Sequence, residues 1–142
     1  MIKQNIVFVE NKAGSLKRVT GMLTDNDINI YGFACFDAPE FAIFRMVCND
    51  ADKAEIMLNK SGYMNRITQA IVVDMKDQVG GLDELLKVLA DSNVSLDYIY
   101  TSFHRKDLIP VVILHSEDIT VTESVLKNNG FNVFTTTEEL EK

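Results

Sequence analysis

Moved along by 66 residues, the chain lies over itself. Residues 9–36 cover residues 75–102: Gly14 meets Gly80, Leu16 meets Leu82, Leu23 meets Leu89 and Asp25 meets Asp91. The apolar register is shared more fully than the identities, as in Val9/Met75, Ala13/Val79, Val19/Leu85, Met22/Val88, Ile28/Val94 and Ile30/Leu96. Further on, Gly62-Tyr63 matches Gly130-Phe131 at an offset of 68, so two extra residues fall in the connection between the second and third strands. Self-similarity of this kind requires two copies of one supersecondary unit. The boundary lies near Thr68/Gln69, which gives units 1–68 and 69–142.

Each unit reads the same way. An apolar run over 5–9 predicts a strand. Leu16, Val19, Thr20 and Leu23 then fall at i, i+3, i+4 and i+7, one face of a helix, and Leu82, Leu85, Leu86 and Leu89 repeat that face. The polar triplets Asp25-Asn26-Asp27 and Asp91-Ser92-Asn93 end these helices. Alternation predicts a strand over 28–36, Asp37-Ala38-Pro39-Glu40 is turn chemistry, and 41–48 is a further strand. Asn49-Asp50 suits the cap of a second helix over 51–60, Ser61-Gly62 stops it, and a fourth strand is expected over 64–68. In the second unit the expected strands are 70–75, 94–102, 109–115 and 131–136, and the helices 81–91 and 120–128, with residues 138–142 frayed.

The order strand-helix-strand-strand-helix-strand, twice, is a split βαβ arrangement. The expected class is therefore α+β: two ferredoxin-like βαββαβ repeats, side by side in one eight-stranded antiparallel sheet. Strand 41–48 is apolar on both faces, with Phe41, Ile43 and Val47 on one and Ala42, Phe44, Met46 and Cys48 on the other. A helix-free face of that kind needs a cover, and a second copy of the chain is the expected one.

The first strand of each unit runs into a turn, Asn11-Lys12-Ala13-Gly14-Ser15-Leu16 and Asp77-Gln78-Val79-Gly80-Gly81-Leu82. In this strand–turn–helix setting the chain resembles the ACT domain. That family's turn reads roughly Asp or Asn, two residues of which the second is often Pro, Gly, any residue, Leu. Both copies match at the first position, the Gly and the Leu, and both depart at the Pro position, which holds Ala13 and Val79. The departure bears on the stiffness of the loop and leaves the fold intact.

The resemblance implies a regulatory module that binds an amino acid or similar effector at the seam between modules. It places the ligand against the first loop and the strand after the first helix. Elementary chemistry agrees with the loop: backbone N–H groups at Gly14-Ser15 and Gly80-Gly81 suit a carboxylate. Asn11 offers an amide, Asp77 a partner for an ammonium, and glycine permits close approach. The expected ligand-binding set is Asn11, Ala13, Gly14, Ser15, Leu16, Asp77, Val79, Gly80, Gly81 and Leu82, with Tyr98 and Tyr100 lining a side-chain pocket. Because Asp77 is charged and Asn11 is not, the two sites are unequal.

Charge narrows the partners. Residues 1–68 hold eight Lys and Arg against eight Asp and Glu; residues 69–142 hold six against thirteen, so the net −7 belongs to the second unit. That balance argues against binding a nucleic-acid backbone, and the aromatic-basic signature of an RNA-recognition module is missing. No apolar run approaches the roughly 18 residues of a membrane span, and the N-terminus lacks a secretory pattern, so a cytoplasmic protein is expected. Cys35 and Cys48 read as two small buried thiols, with Cys35 opposite about Ala42 and too distant to bridge Cys48. His104 and His115 share no metal-ligand spacing with them. Neither a nucleophile elbow nor a phosphate loop occurs, so no catalytic residues, metal or cofactor are expected. The expectation is a stand-alone, non-enzymatic regulator of a partner; the alternative is a regulatory or structural subunit that binds a catalytic partner without a ligand.

Overall fold

The computed structural model describes residues 1–142. The chain divides into an N-terminal unit, residues 3–68, and a C-terminal unit, residues 69–142 with residues 1 and 2. The N-terminal unit takes β1 (Ile2–Glu10), α1 (Ser15–Asp25), β2 (Ile30–Asp37), β3 (Phe41–Cys48), α2 (Ala51–Lys60) and the start of β4 (Asn65–Asp74). Its strands lie in the order β2-β3-β1-β4, with β3 antiparallel to both β1 and β2. Val7 and Val9 of β1 and Phe44, Met46 and Cys48 of β3 face the two helices. They close over Val19 and Leu23 of α1 and Ala54 and Leu58 of α2, all buried.

The C-terminal unit repeats this with the rest of β4, α3 (Gly81–Asp91), β5 (Leu96–Phe103), β6 (Pro110–Ser116) and α4 (Ile119–Asn128). Its core sets Ile71, Val73, Val112 and Leu114 against Leu85, Leu89 and Leu126. Val19 and Leu23 thus become Leu85 and Leu89 at the offset of 66, and Phe44, Met46 and Leu58 become Val112, Leu114 and Leu126 at 68. Both second strands carry a bulge at the same place, between Ile30 and Gly32 and between Leu96 and Tyr98. The backbone after α1 and α3 turns left-handed at equivalent residues, Asp27 (φ 58°) and Asn93 (φ 57°). Asp50 caps α2 by accepting from the Lys53 N–H, and Asp118 caps α4 by accepting from Val121.

Four expectations are corrected. There are six strands, not eight. Nothing in Ile67-Thr68-Gln69-Ala70-Ile71 breaks an extended backbone, so the strands expected at 64–68 and 70–75 are one, β4. The strand expected at 131–136 is reduced to a bridge between Val133 and Val73. Its last residues instead cap a short 3-10 helix, Thr137–Leu140, whose Leu140 is fully buried, so the tail is folded onto the unit rather than frayed. The buried stripe of α1 is Ser15, Val19 and Leu23, and that of α3 is Gly81, Leu85 and Leu89. Leu16 and Leu82 stand off it, 38% and 44% exposed. Finally, Cys35 is exposed, on the edge strand β2 opposite Phe44 rather than Ala42. Cys48 is buried, its thiol donates to Asn5 Oδ1 at 3.4 Å, and burial pushes it up to about 11.

Candidate functional site

The two β–α turns share one hydrogen-bond pattern. Lys12 N–H donates to Glu10 C=O at 3.0 Å, Ser15 to Lys12 at 3.2 Å and Arg18 to Gly14 at 3.0 Å. Offset by 66, Gln78 donates to Lys76 at 3.0 Å, Gly81 to Gln78 at 3.0 Å and Glu84 to Gly80 at 2.9 Å. Gly14 (φ 83°, ψ −8°) and Gly80 (φ 85°, ψ 0°) are left-handed at the start of α1 and α3. A Cβ at either would meet nothing within 4 Å, so glycine is there for its backbone angle rather than for space. Neither helix has a side-chain cap. The N–H groups of a first turn lack partners inside the helix, which leaves an anion-attracting end. α3 carries Asp83 and Glu84 in its first turn, whereas α1 carries no acid there.

Of the residues expected to bind ligand, Asp77, Gly80, Gly81 and Leu82 come together along a shallow cleft of about 430 Å³ that Leu86 and Met75 floor. Val79 is fully exposed beside it. In the N-terminal unit Asn11 is engaged elsewhere, its amide donating to Ala38 C=O of the β2–β3 turn at 3.3 Å. Ala13, Gly14 and Leu16 are exposed, while Ser15 is buried. Tyr98 and Tyr100 stand on β5, outside the turn cleft. Tyr98 stacks on His115 with ring centroids 5.4 Å apart, and His115 Nδ1 lies 2.7 Å from Asp97 Oδ2.

Sequence reading missed a larger cavity of about 590 Å³ on the other side of Asp77. The end of β4, the β5–β6 connection and the α4 exit form its walls. Asp74, Asp77, Glu84 and Asp107 give it a negative rim, and Leu108, Ile109 and Phe131 an apolar wall. Both Asp74 oxygens are held, one 3.2 Å from His104 Nε2 and the other accepting from Asn132 at 2.8 Å. Lys76 pairs with Glu84 at 3.2 Å. The matched Gly62-Tyr63 and Gly130-Phe131 were the available signal, since each brings the exit of a second helix against the first turn. No group of three or more His, Cys, Asp or Glu side chains is placed to hold a metal ion, and no helix is long and apolar enough to cross a membrane.

The sequence pattern of the ACT domain pair matches residues 1–141. The chain belongs to that family. No curated protein matches it. Among solved structures, this ACT domain pair resembles protein BT0572 from Bacteroides thetaiotaomicron, with TM-score 0.89 and 24% identity over 99% of this chain and 96% of that one. It is also similar to the aspartokinase alpha and beta subunits, with TM-score 0.61 and 18% identity over 89% and 90%. The regulatory subunit of aspartate kinase from Thermus thermophilus in its ligand-free form gives TM-score 0.61 and 13% identity over 90% and 91%. At these identities the likeness speaks for the fold alone.

Proposed function

We propose that this ACT domain pair is a regulatory protein that binds an amino acid or similar small effector at its β–α turns. The observation that carries the reading is the pair of uncapped helix starts behind left-handed glycines, with Asp77 on the rim of the C-terminal cleft. The helix start suits the carboxylate and Asp77 the ammonium. Gly80, Gly81 and Leu82 line the place where the ligand would lie. Regulation follows from differential affinity: the ligand favours whichever arrangement of the protein binds it better, and shifts the equilibrium by that difference and no more. The Thermus thermophilus protein of similar fold is named a regulatory subunit, the role proposed here.

A thermal-shift screen against the proteinogenic amino acids tests the reading. One ligand at 100 times its Kd stabilises by about 2.7 kcal/mol. Asp77→Ala abolishes that shift and leaves the unliganded midpoint in place, because Asp77 is exposed. A flat response to every amino acid favours a subunit that binds a catalytic partner unaided.

The same reading includes a homodimer. Phe36 and Phe41, on the helix-free face of the N-terminal unit, are 54% and 36% exposed in the single chain. Aromatic surface of this kind suits association. Sedimentation velocity at micromolar concentration should give a dimer, and a monomer there removes this part of the proposal.

A further inference from the structure

Three residues other than glycine take a left-handed backbone: Asp27, Asn93 and Leu108. Asp and Asn tolerate that conformation because their short polar side chains bond locally. Leucine has no such means, and at φ 61° its Cβ crowds the following carbonyl oxygen. Leu108 is also 65% exposed, so its side chain contributes little to the core. The backbone around it is nevertheless held firmly. His104 N–H donates to Ile109 C=O at 2.9 Å, Leu108 N–H to His104 C=O at 3.1 Å and Arg105 N–H to Leu140 C=O at 2.9 Å. A costly backbone angle fixed by its surroundings, with an apolar side chain presented to water, is what a binding surface shows.

Leu108 stands on the wall of the cavity of about 590 Å³, with Ile109, itself 42% exposed, and Phe131. The first repeat has no counterpart to this wall. Its β2–β3 turn is shorter, and its own cavity, about 280 Å³, takes no lining from that turn. Charge differs as well. The first cavity is lined by one base, Arg18, and one acid, Glu10; the second is lined by four acids, Asp74, Asp77, Glu84 and Asp107, and one base, Lys76. Lys76 is occupied by Glu84, and Asp74 is held by His104 and Asn132. Asp107 accepts from the Ile109 N–H at 3.2 Å, and neither it nor Asp77 pairs with a cation.

We infer that this apolar groove docks a segment of a partner protein that carries an arginine between apolar residues. The aliphatic stem of the arginine lies on Leu108, Ile109 and Phe131, and its guanidinium pairs with Asp107 and Asp77. Arginine suits the groove better than lysine, because its head is less strongly hydrated, forks onto a carboxylate and lies flat against an aromatic ring. The apolar neighbours of the arginine cover Leu108, most of which a small molecule held inside the cavity would leave in water. The acidic rim steers a basic segment to the groove, and the apolar wall retains it. This surface goes beyond the effector proposed above and requires no bound amino acid.

The test is a titration of the isotope-labelled full chain with a hexapeptide of alternating leucine and arginine, followed by amide chemical shifts at constant ionic strength. The peptide is acetylated and amidated, so it carries no terminal charge. Saturable shifts are expected at Asp107, Leu108, Ile109 and Phe131, with none at Gly62 or Tyr63. The same peptide with glutamate in place of arginine should bind at least tenfold more weakly. Leu108→Asn should weaken the arginine peptide at least fivefold while holding or raising the unliganded melting midpoint, since asparagine takes the left-handed angle more readily; a leucine needed by the fold would show a fall. No amino acid is present in this titration, so a flat amino-acid screen removes the effector reading and leaves this one standing. The proposal is overturned by shifts that do not saturate, by equal shifts at Gly62 and Tyr63, or by a glutamate peptide that binds as tightly. It is overturned equally by unchanged affinity or a lowered midpoint in Leu108→Asn. Free arginine binding as tightly as the peptide would make the cavity a small-molecule site, and shifts of the same amides with protein concentration alone would assign the groove to a second copy of the chain; either result overturns it too.

Discussion

Gly81→Ala should lower the stability of the protein by about 3 kcal/mol, more than the same change at Gly80. The two neighbouring glycines are needed for different reasons. Gly80 is left-handed at φ 85° with open space around it, so alanine there meets only the backbone penalty of about 1–2 kcal/mol. Gly81 has ordinary helical angles, but a Cβ on it would run into the carbonyl oxygen of Lys76 and lie 3.1 Å from the carbonyl carbon. Backbone cannot swing aside as a lysine tip can. Relief requires opening the turn, which strains the bonds from Gln78 to Lys76 and from Gly81 to Gln78 and draws Leu85 off the sheet. Ser15 carries a Cβ at the matching position of the first unit, so the same hydrogen bonds accommodate two slightly different backbone paths. Urea unfolding measures the effect. A loss below about 0.5 kcal/mol would mean that the turn yields freely and that Gly81 has no packing role.

The repeat was readable in the sequence because it rests on local chemistry. Gly14 and Gly80, Asp27 and Asn93, and Gly62 and Gly130 each mark a left-handed residue at the same step of the fold. Val19, Leu23, Leu85 and Leu89 were identified by helical spacing and are buried. What failed was set by contacts distant along the chain. The helix face was misplaced at its first member because spacing alone cannot tell which residue meets the sheet. Ser15 and Gly81 do so, being small enough for the first turn to approach, and Leu16 and Leu82 are displaced to the flank. The C-terminal cavity was missed for a similar reason. Lys76 and Glu84 were visible in the sequence, but only folding brings the helix-exit segment at Gly130-Phe131 beside them.

Leu140→Ala should cost about 3 kcal/mol, a core-sized loss from a residue two places from the last. Leu140 is wholly buried, and its carbonyl accepts from the Arg105 N–H at 2.9 Å, so the tail pins the connection that bears Asp107 and Leu108. Phe134 packs edge-on to His104 at 4.9 Å beneath the same connection. The tail is held in turn by Glu139. One of its carboxylate oxygens accepts from the Thr135 hydroxyl at 2.7 Å and from the Thr135 and Thr136 N–H groups at 2.9 and 3.0 Å. The Thr135 hydroxyl first holds this carboxyl below its ordinary 4.5, against burial, which is next in size and raises it, and the two N–H groups add smaller effects in the same downward direction. A carboxyl depressed in the folded state stabilises fully above its unfolded value and loses that contribution as pH falls through its folded one. Stability should therefore decline below about pH 4.5 more steeply in the parent than in Glu139→Gln, which has no charge to lose. Urea unfolding between pH 7 and 3 compares the two. Parallel curves would show that the cap does not hold the tail, and an unchanged midpoint in Leu140→Ala would show that the tail does not hold the core.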